Sequence, residues 1–97
     1  MQKLEEIRAK IDEVDEKMAE LFAMRMELVS KAGEWKRAHP EEWNRAKGDE
    51  VEIEDKEREE EIIANNSKRF EGDLKEDYVR FQKTVIEISK NNERRDA

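Results

Sequence analysis

Residues 4–36 read LEEIRAKIDEVDEKMAELFAMRMELVSKAGEWK, and their apolar spacing decides the fold. Leu4, Ile7, Ile11, Val14, Met18, Leu21, Leu28, Ala32 and Trp35 follow a three-and-four spacing, with Arg25 standing on the same seam between Leu21 and Leu28. The stretch contains no proline, its glycine, Gly33, comes near the end, and good helix formers fill its remaining faces. Pattern and propensity agree on one long amphipathic helix. About 35 residues make a rod of roughly 50 Å, whereas a compact domain of this size has a radius of gyration of about 13 Å. Only a second copy covers such a seam along its whole length, so the spacing predicts an intertwined helical dimer.

Beyond this helix, Pro40 predicts a stop or kink, and Glu41 to Lys47 has room for about two helical turns before Gly48. Residues 37–54 read as an extended connection. Asp49 to Glu61 carries nine acidic residues in thirteen. Its second half opens a second helix, predicted from Asp55 to about Phe70, with acidic residues in the first turn where the helix dipole favours them. A third is predicted from Leu74 to about Arg94, with Leu74, Tyr78, Phe81, Val85 and Ile88 on one face. The expected architecture is all-α, a single domain over 1–97 with three helices in long-short-medium order.

The composition narrows the chemistry. With 27 acidic and 20 basic residues among 97, the formal charge of −7 argues against duplex nucleic acid or a membrane surface as partner. Zero cysteines and one histidine remove thiolate chemistry and make a histidine-based metal site or serine-histidine dyad a poor expectation. No stretch approaches the roughly 18 apolar residues of a membrane span, and the N-terminus lacks an apolar leader core, so a soluble cytoplasmic protein is expected.

Several polar residues stand where the pattern wants apolar ones. Arg25 is on the seam, and a desolvated guanidinium is costly unless an anion or polar group meets it. Lys36, eleven residues on, projects from nearly the same face, whereas Arg8 lies about 25 Å away and on another side of the rod. If Arg8 serves the same pocket, it comes from the other chain. Asp55, Arg58, Glu59 and Ile62 share a face of the second helix, as Gln82, Ile86, Ser89 and Glu93 do on the third. These faces either meet the cationic stripe or are solvated surfaces with ordinary ion pairs.

In order and spacing these residues resemble the all-helical class of chorismate mutases, clostridial-type members among them. The resemblance rests on I-R-x-x-I-D-x-x-D at Ile7 to Asp15, R-x-x-L-V at Arg25 to Val29, and Gly33-Glu34 before Lys36. It continues with D-x-x-R-E at Asp55 to Glu59 and I-S-K at Ile88 to Lys90. It implies an intertwined homodimer that converts chorismate, a dicarboxylate, to prephenate on the route to phenylalanine and tyrosine. By the same resemblance, Arg25 and the other chain's Arg8 grip the carboxylates, and Lys36 contacts the ether oxygen of the breaking bond. Arg58 and Glu59 hold the ring-hydroxyl end with Asp55 beside them, and Ser89 approaches a carboxylate. A Claisen rearrangement needs no nucleophile, metal or cofactor, and none is expected. It needs a compact conformer and stabilisation of negative charge on the ether oxygen.

Two features depart from the family pattern. Many bacterial members place a glutamine at the position of Glu93 to donate to the ether oxygen, and some, fungal ones included, carry glutamate. An ionised carboxylate cannot donate, so Glu93 is expected to act as a neutral donor, with turnover rising on acidification. The 37–54 connection is also longer than usual, and its Trp43 reads either as a lid over the pocket or as a surface residue packed on the end of the long helix. Two alternatives stand beside the mutase: an isochorismate pyruvate-lyase on the same fold, and a catalytically degenerate helical regulatory module.

Overall fold

The computed structural model describes residues 3–47 and 56–95, which form four helices: α1 (Leu4–Ala38), α2 (Pro40–Lys47), α3 (Lys56–Ser67) and α4 (Gly72–Arg95). The described residues are all-helical or in short turns. The expected three helices correspond to α1, α3 and α4; the additional one, α2, is the pair of turns the sequence allowed inside the connection. Asp55 and the first half of the acidic run lie outside the described residues.

The helix ends follow local chemistry. Glu5 and Glu6 occupy the first turn of α1 and Lys36 and Arg37 the last, each sign complementing the helix dipole. Pro40 lacks an N–H and disfavours helical geometry at the residue before it, so α1 stops at Ala38. The same ring suits a first helical position, where that N–H has no partner anyway, and α2 starts on it. Hydrogen bonding carries across the break: the His39 N–H donates to Trp35 O at 2.9 Å and the Trp43 N–H to His39 O at 3.0 Å.

α3 ends at Ser67, one turn earlier than the pattern suggested. The Phe70 N–H donates to Ser67 O at 3.0 Å and reverses the chain, and Gly72 takes a φ of +60°, a conformation open to glycine at little cost, where α4 begins. The Phe70 ring meets Tyr78 at 4.8 Å between centroids, closing this end of the α3–α4 hairpin.

α4 packs on both α1 and α3. The result is a slab of 60 × 28 × 15 Å with a radius of gyration of 17.3 Å, well beyond that of a compact domain. A 15 Å thickness is little more than one helix with its side chains. All described residues from Lys3 to Met24 are exposed, and along the seam Ile11 is 52%, Leu21 61% and Leu28 61% accessible. Buried positions, by contrast, are mostly polar: Ile86 is the one buried large apolar side chain among the described residues, beside Ser67, Gln82, Ser89 and Glu93.

Candidate active site

The four residues that the spacing puts on one face of α4, Gln82, Ile86, Ser89 and Glu93, are the four buried ones among the described side chains of that helix. Each polar member has a partner. Gln82 Oε1 accepts from the Tyr78 hydroxyl at 2.7 Å. The Ser89 hydroxyl donates to Val85 O at 2.7 Å and accepts from Arg25 Nη1. Glu93 Oε1 receives Lys36 Nζ at 2.8 Å, between side chains only 16% and 9% exposed. Arg25 and Lys36, one face of α1, are thereby tied to Ser89 and Glu93, one face of α4.

Together with α3 these helices line a cavity of about 150 Å³. Lys36, Arg58, Glu59, Ser89, Lys90 and Glu93 are its polar walls, and Val29, Ala32, Ile62 and Ile86 its apolar ones. Arg25 reaches Ser89 from the side, where a larger apolar groove between α1 and α4 begins, lined by Met18, Leu21, Phe22 and Phe81 among others. No carboxylate lies within ion-pair distance of Arg25 among the described residues. Burial lowers the pKa of its guanidinium, the like charge of Arg58 pushes the same way, and Tyr78 opposes them.

Of the residues proposed from sequence, Arg25, Lys36, Arg58, Glu59, Ser89 and Glu93 come together here. Arg8 does not: it is exposed on the unpacked half of α1, about 25 Å along the helix from Arg25. Asp55 falls outside the described residues.

Four further residues adjoin these side chains. Gly33 is buried at the crossing of α1 and α4, where an added Cβ would lie 2.6 Å from Glu93 Cγ. Its signal was a glycine inside a helix, a position about 1 kcal/mol worse than alanine without a packing reason. Arg37 Nη1 donates to Glu93 O at 3.0 Å, pinning the C-terminal part of α4; in sequence it looks like any cation in a last helical turn. Lys90 Nζ lies 2.7 Å from Glu59 Oε1, a charge contact rather than an aligned hydrogen bond. Trp43 sits at the end of α1 with its ring 4.6 Å from Lys36 Nζ.

Fold and site define a class: an all-helical protein whose cationic pocket, held between three helices, suits a small carboxylate-bearing ligand. The chain belongs to the chorismate mutase type II family, whose profile matches residues 7–94. Its activity is that of an isomerase converting chorismate to prephenate, and neither the lyase nor the regulatory alternative is favoured. No curated protein and no solved structure gives a significant match. No helix among the described residues is long and apolar enough to cross a membrane, and no group of His, Cys, Asp or Glu among them forms a metal site.

Proposed function

We propose that the rearrangement takes place in the α1–α3–α4 pocket of a cytoplasmic homodimer, with each site completed by Arg8 of the other chain. The observation that carries this reading is the state of Arg25: half-buried, near a second guanidinium, bonded to a serine and without a carboxylate among the described residues. A substrate carboxylate supplies the missing counter-charge. Lys36 faces the ether oxygen and meets the negative charge that develops there as the bond breaks. Arg58 and Glu59, steadied by Lys90, hold the ring-hydroxyl end, and Asp55 stands beside them in sequence. Enclosure between three helices favours the compact conformer in which the reacting carbons approach. Every step is positioning or electrostatics, so no residue forms a covalent bond to substrate.

The exposed seam supports the dimer. Leu4, Ile7, Ile11, Val14, Met18, Leu21 and Leu28 are each 40–61% accessible, and covering the rest of each side chain contributes on the order of 1 kcal/mol. A second α1 laid along the first brings the far end of one rod towards the pocket end of the other, the placement Arg8 requires.

The test is to add chorismate to the purified protein, follow loss of its absorbance and identify the product as prephenate. Arg25→Ala and Lys36→Ala are expected to lose roughly 100-fold or more in kcat/KM while remaining helical dimers. Near-parental rates in either variant would refute the assigned pocket.

A further inference from the structure

The long connection contributes α2, and α2 brings one aromatic side chain to the site. Trp43 stands seven residues after Lys36, on the far side of the break at His39. The His39 N–H donates to Trp35 O and the Trp43 N–H to His39 O, so α2 is tied to the end of α1 through His39. The His39 ring stacks on Trp35 at 4.6 Å and fixes the joint. Trp43 is thereby held half-buried with its ring 4.6 Å from Lys36 Nζ, while Glu93 Oε1 lies 2.8 Å from the same nitrogen. The ammonium is bounded by a carboxylate from α4 and an aromatic face from α2.

These two neighbours act differently on a cation that must meet a developing oxyanion. A carboxylate holds the ammonium but cancels its charge and competes with the ether oxygen for it. An aromatic face attracts the ammonium through its quadrupole, leaves the formal charge intact and keeps water from that side. As the ether oxygen takes over from Glu93, the ring is the contact that stays.

We infer that Trp43 is a positioning residue for the rearrangement, acting through Lys36 by holding its ammonium towards the ether oxygen. The inference rests on the proposed role of Lys36. It assigns the long connection a part in the reaction: α2 is the mount for this ring.

Trp43→Leu, which keeps apolar bulk without a ring, Trp43→Phe, which keeps a ring face, Lys36→Met and the double variant Lys36→Met/Trp43→Leu are compared as full-length proteins with chorismate. Trp43→Leu is expected to lose about tenfold in kcat with KM within about twofold of the parent, and Trp43→Phe to recover most of that loss. Adding Trp43→Leu to Lys36→Met is expected to cost nothing further, because the ring acts on a group already gone. Parental kcat in Trp43→Leu, equal impairment of the Phe and Leu variants, or an undiminished loss in the Lys36→Met background would each overturn the inference. Parental turnover in Lys36→Met would overturn the site assignment as well, whereas an inactive Lys36→Met beside an unimpaired Trp43→Leu overturns the role of Trp43 alone.

Discussion

Lys36 Nζ stands 2.8 Å from Glu93 Oε1, joining the last turn of α1 to the C-terminal part of α4. The cation proposed to meet the ether oxygen is thus engaged, before substrate arrives, by a side chain of the same pocket. An ionised carboxylate accepts hydrogen bonds and donates none, so in that state Glu93 both neutralises Lys36 and repels the charge of the transition state.

Replacing Glu93 with glutamine removes this conflict at all pH values. Glu93→Gln keeps the side-chain length, frees the Lys36 charge and supplies an amide donor, and is expected to be on the order of tenfold faster than the parent at neutral pH. Steady-state kcat of the two proteins measured side by side checks this, and a variant no faster than the parent contradicts it.

Arg25 is held in a place that burial and Arg58 make unfavourable for a cation. Arg25→Met retains much of the side chain's volume and removes the charge. Its thermal midpoint is expected to equal or exceed that of the parent while kcat/KM falls roughly 100-fold or more. A variant that both melts lower and turns over normally would show that Arg25 serves the fold rather than the substrate.

Gly33→Ala would place a Cβ 2.6 Å from Glu93 Cγ, an atom partway along that side chain and unable to swing clear as a flexible tip would. The α1–α4 crossing must open, at an expected cost of about 1–3 kcal/mol in stability. Because Lys36 and Arg37 both hold Glu93, the same displacement is expected to lower kcat. Denaturant unfolding and steady-state kinetics on the variant measure the two effects.

Mixing Arg8→Ala and Arg25→Ala subunits tests whether sites are shared between chains. Each variant alone is expected to be nearly inactive, and a heterodimer carries one site with both arginines intact. Unfolding and refolding the two together is expected to recover up to about a quarter of parental activity, since random pairing makes half the dimers mixed and each has one good site of two. Absence of recovery, with the mixture still dimeric by sedimentation, rules out sharing.

Much of this molecule was legible in its sequence, for reasons that differ by element. α1 was plain because an uninterrupted seam with strong helix formers leaves few alternatives. The buried face of α4 was readable from the spacing of Gln82, Ile86, Ser89 and Glu93, although it is polar. Arg25 drew notice because a cation on an apolar seam demands a reason. Arg37 and Lys90 were hidden: in a chain that is 48% charged, nothing local separates a cation facing another helix from one facing water. Their partners, Glu93 and Glu59, lie 56 and 31 positions away in sequence and meet them only through the packing of α4 on α1 and α3. The early end of α3 was missed because the turn rests on backbone hydrogen bonding at Ser67 and Phe70, which side-chain periodicity does not encode.

The missing side chain at position 33 also bears on how this pocket can change over generations. With no room for a larger neighbour there, the space at position 93 is set by the backbone of α1 and has the shape of one particular side-chain length. Glutamate and glutamine have that same length, so exchange between them alters charge and proton donation without altering packing. The charge that this pocket sets against Lys36 is therefore open to selection through a single residue, while the architecture around it stays fixed.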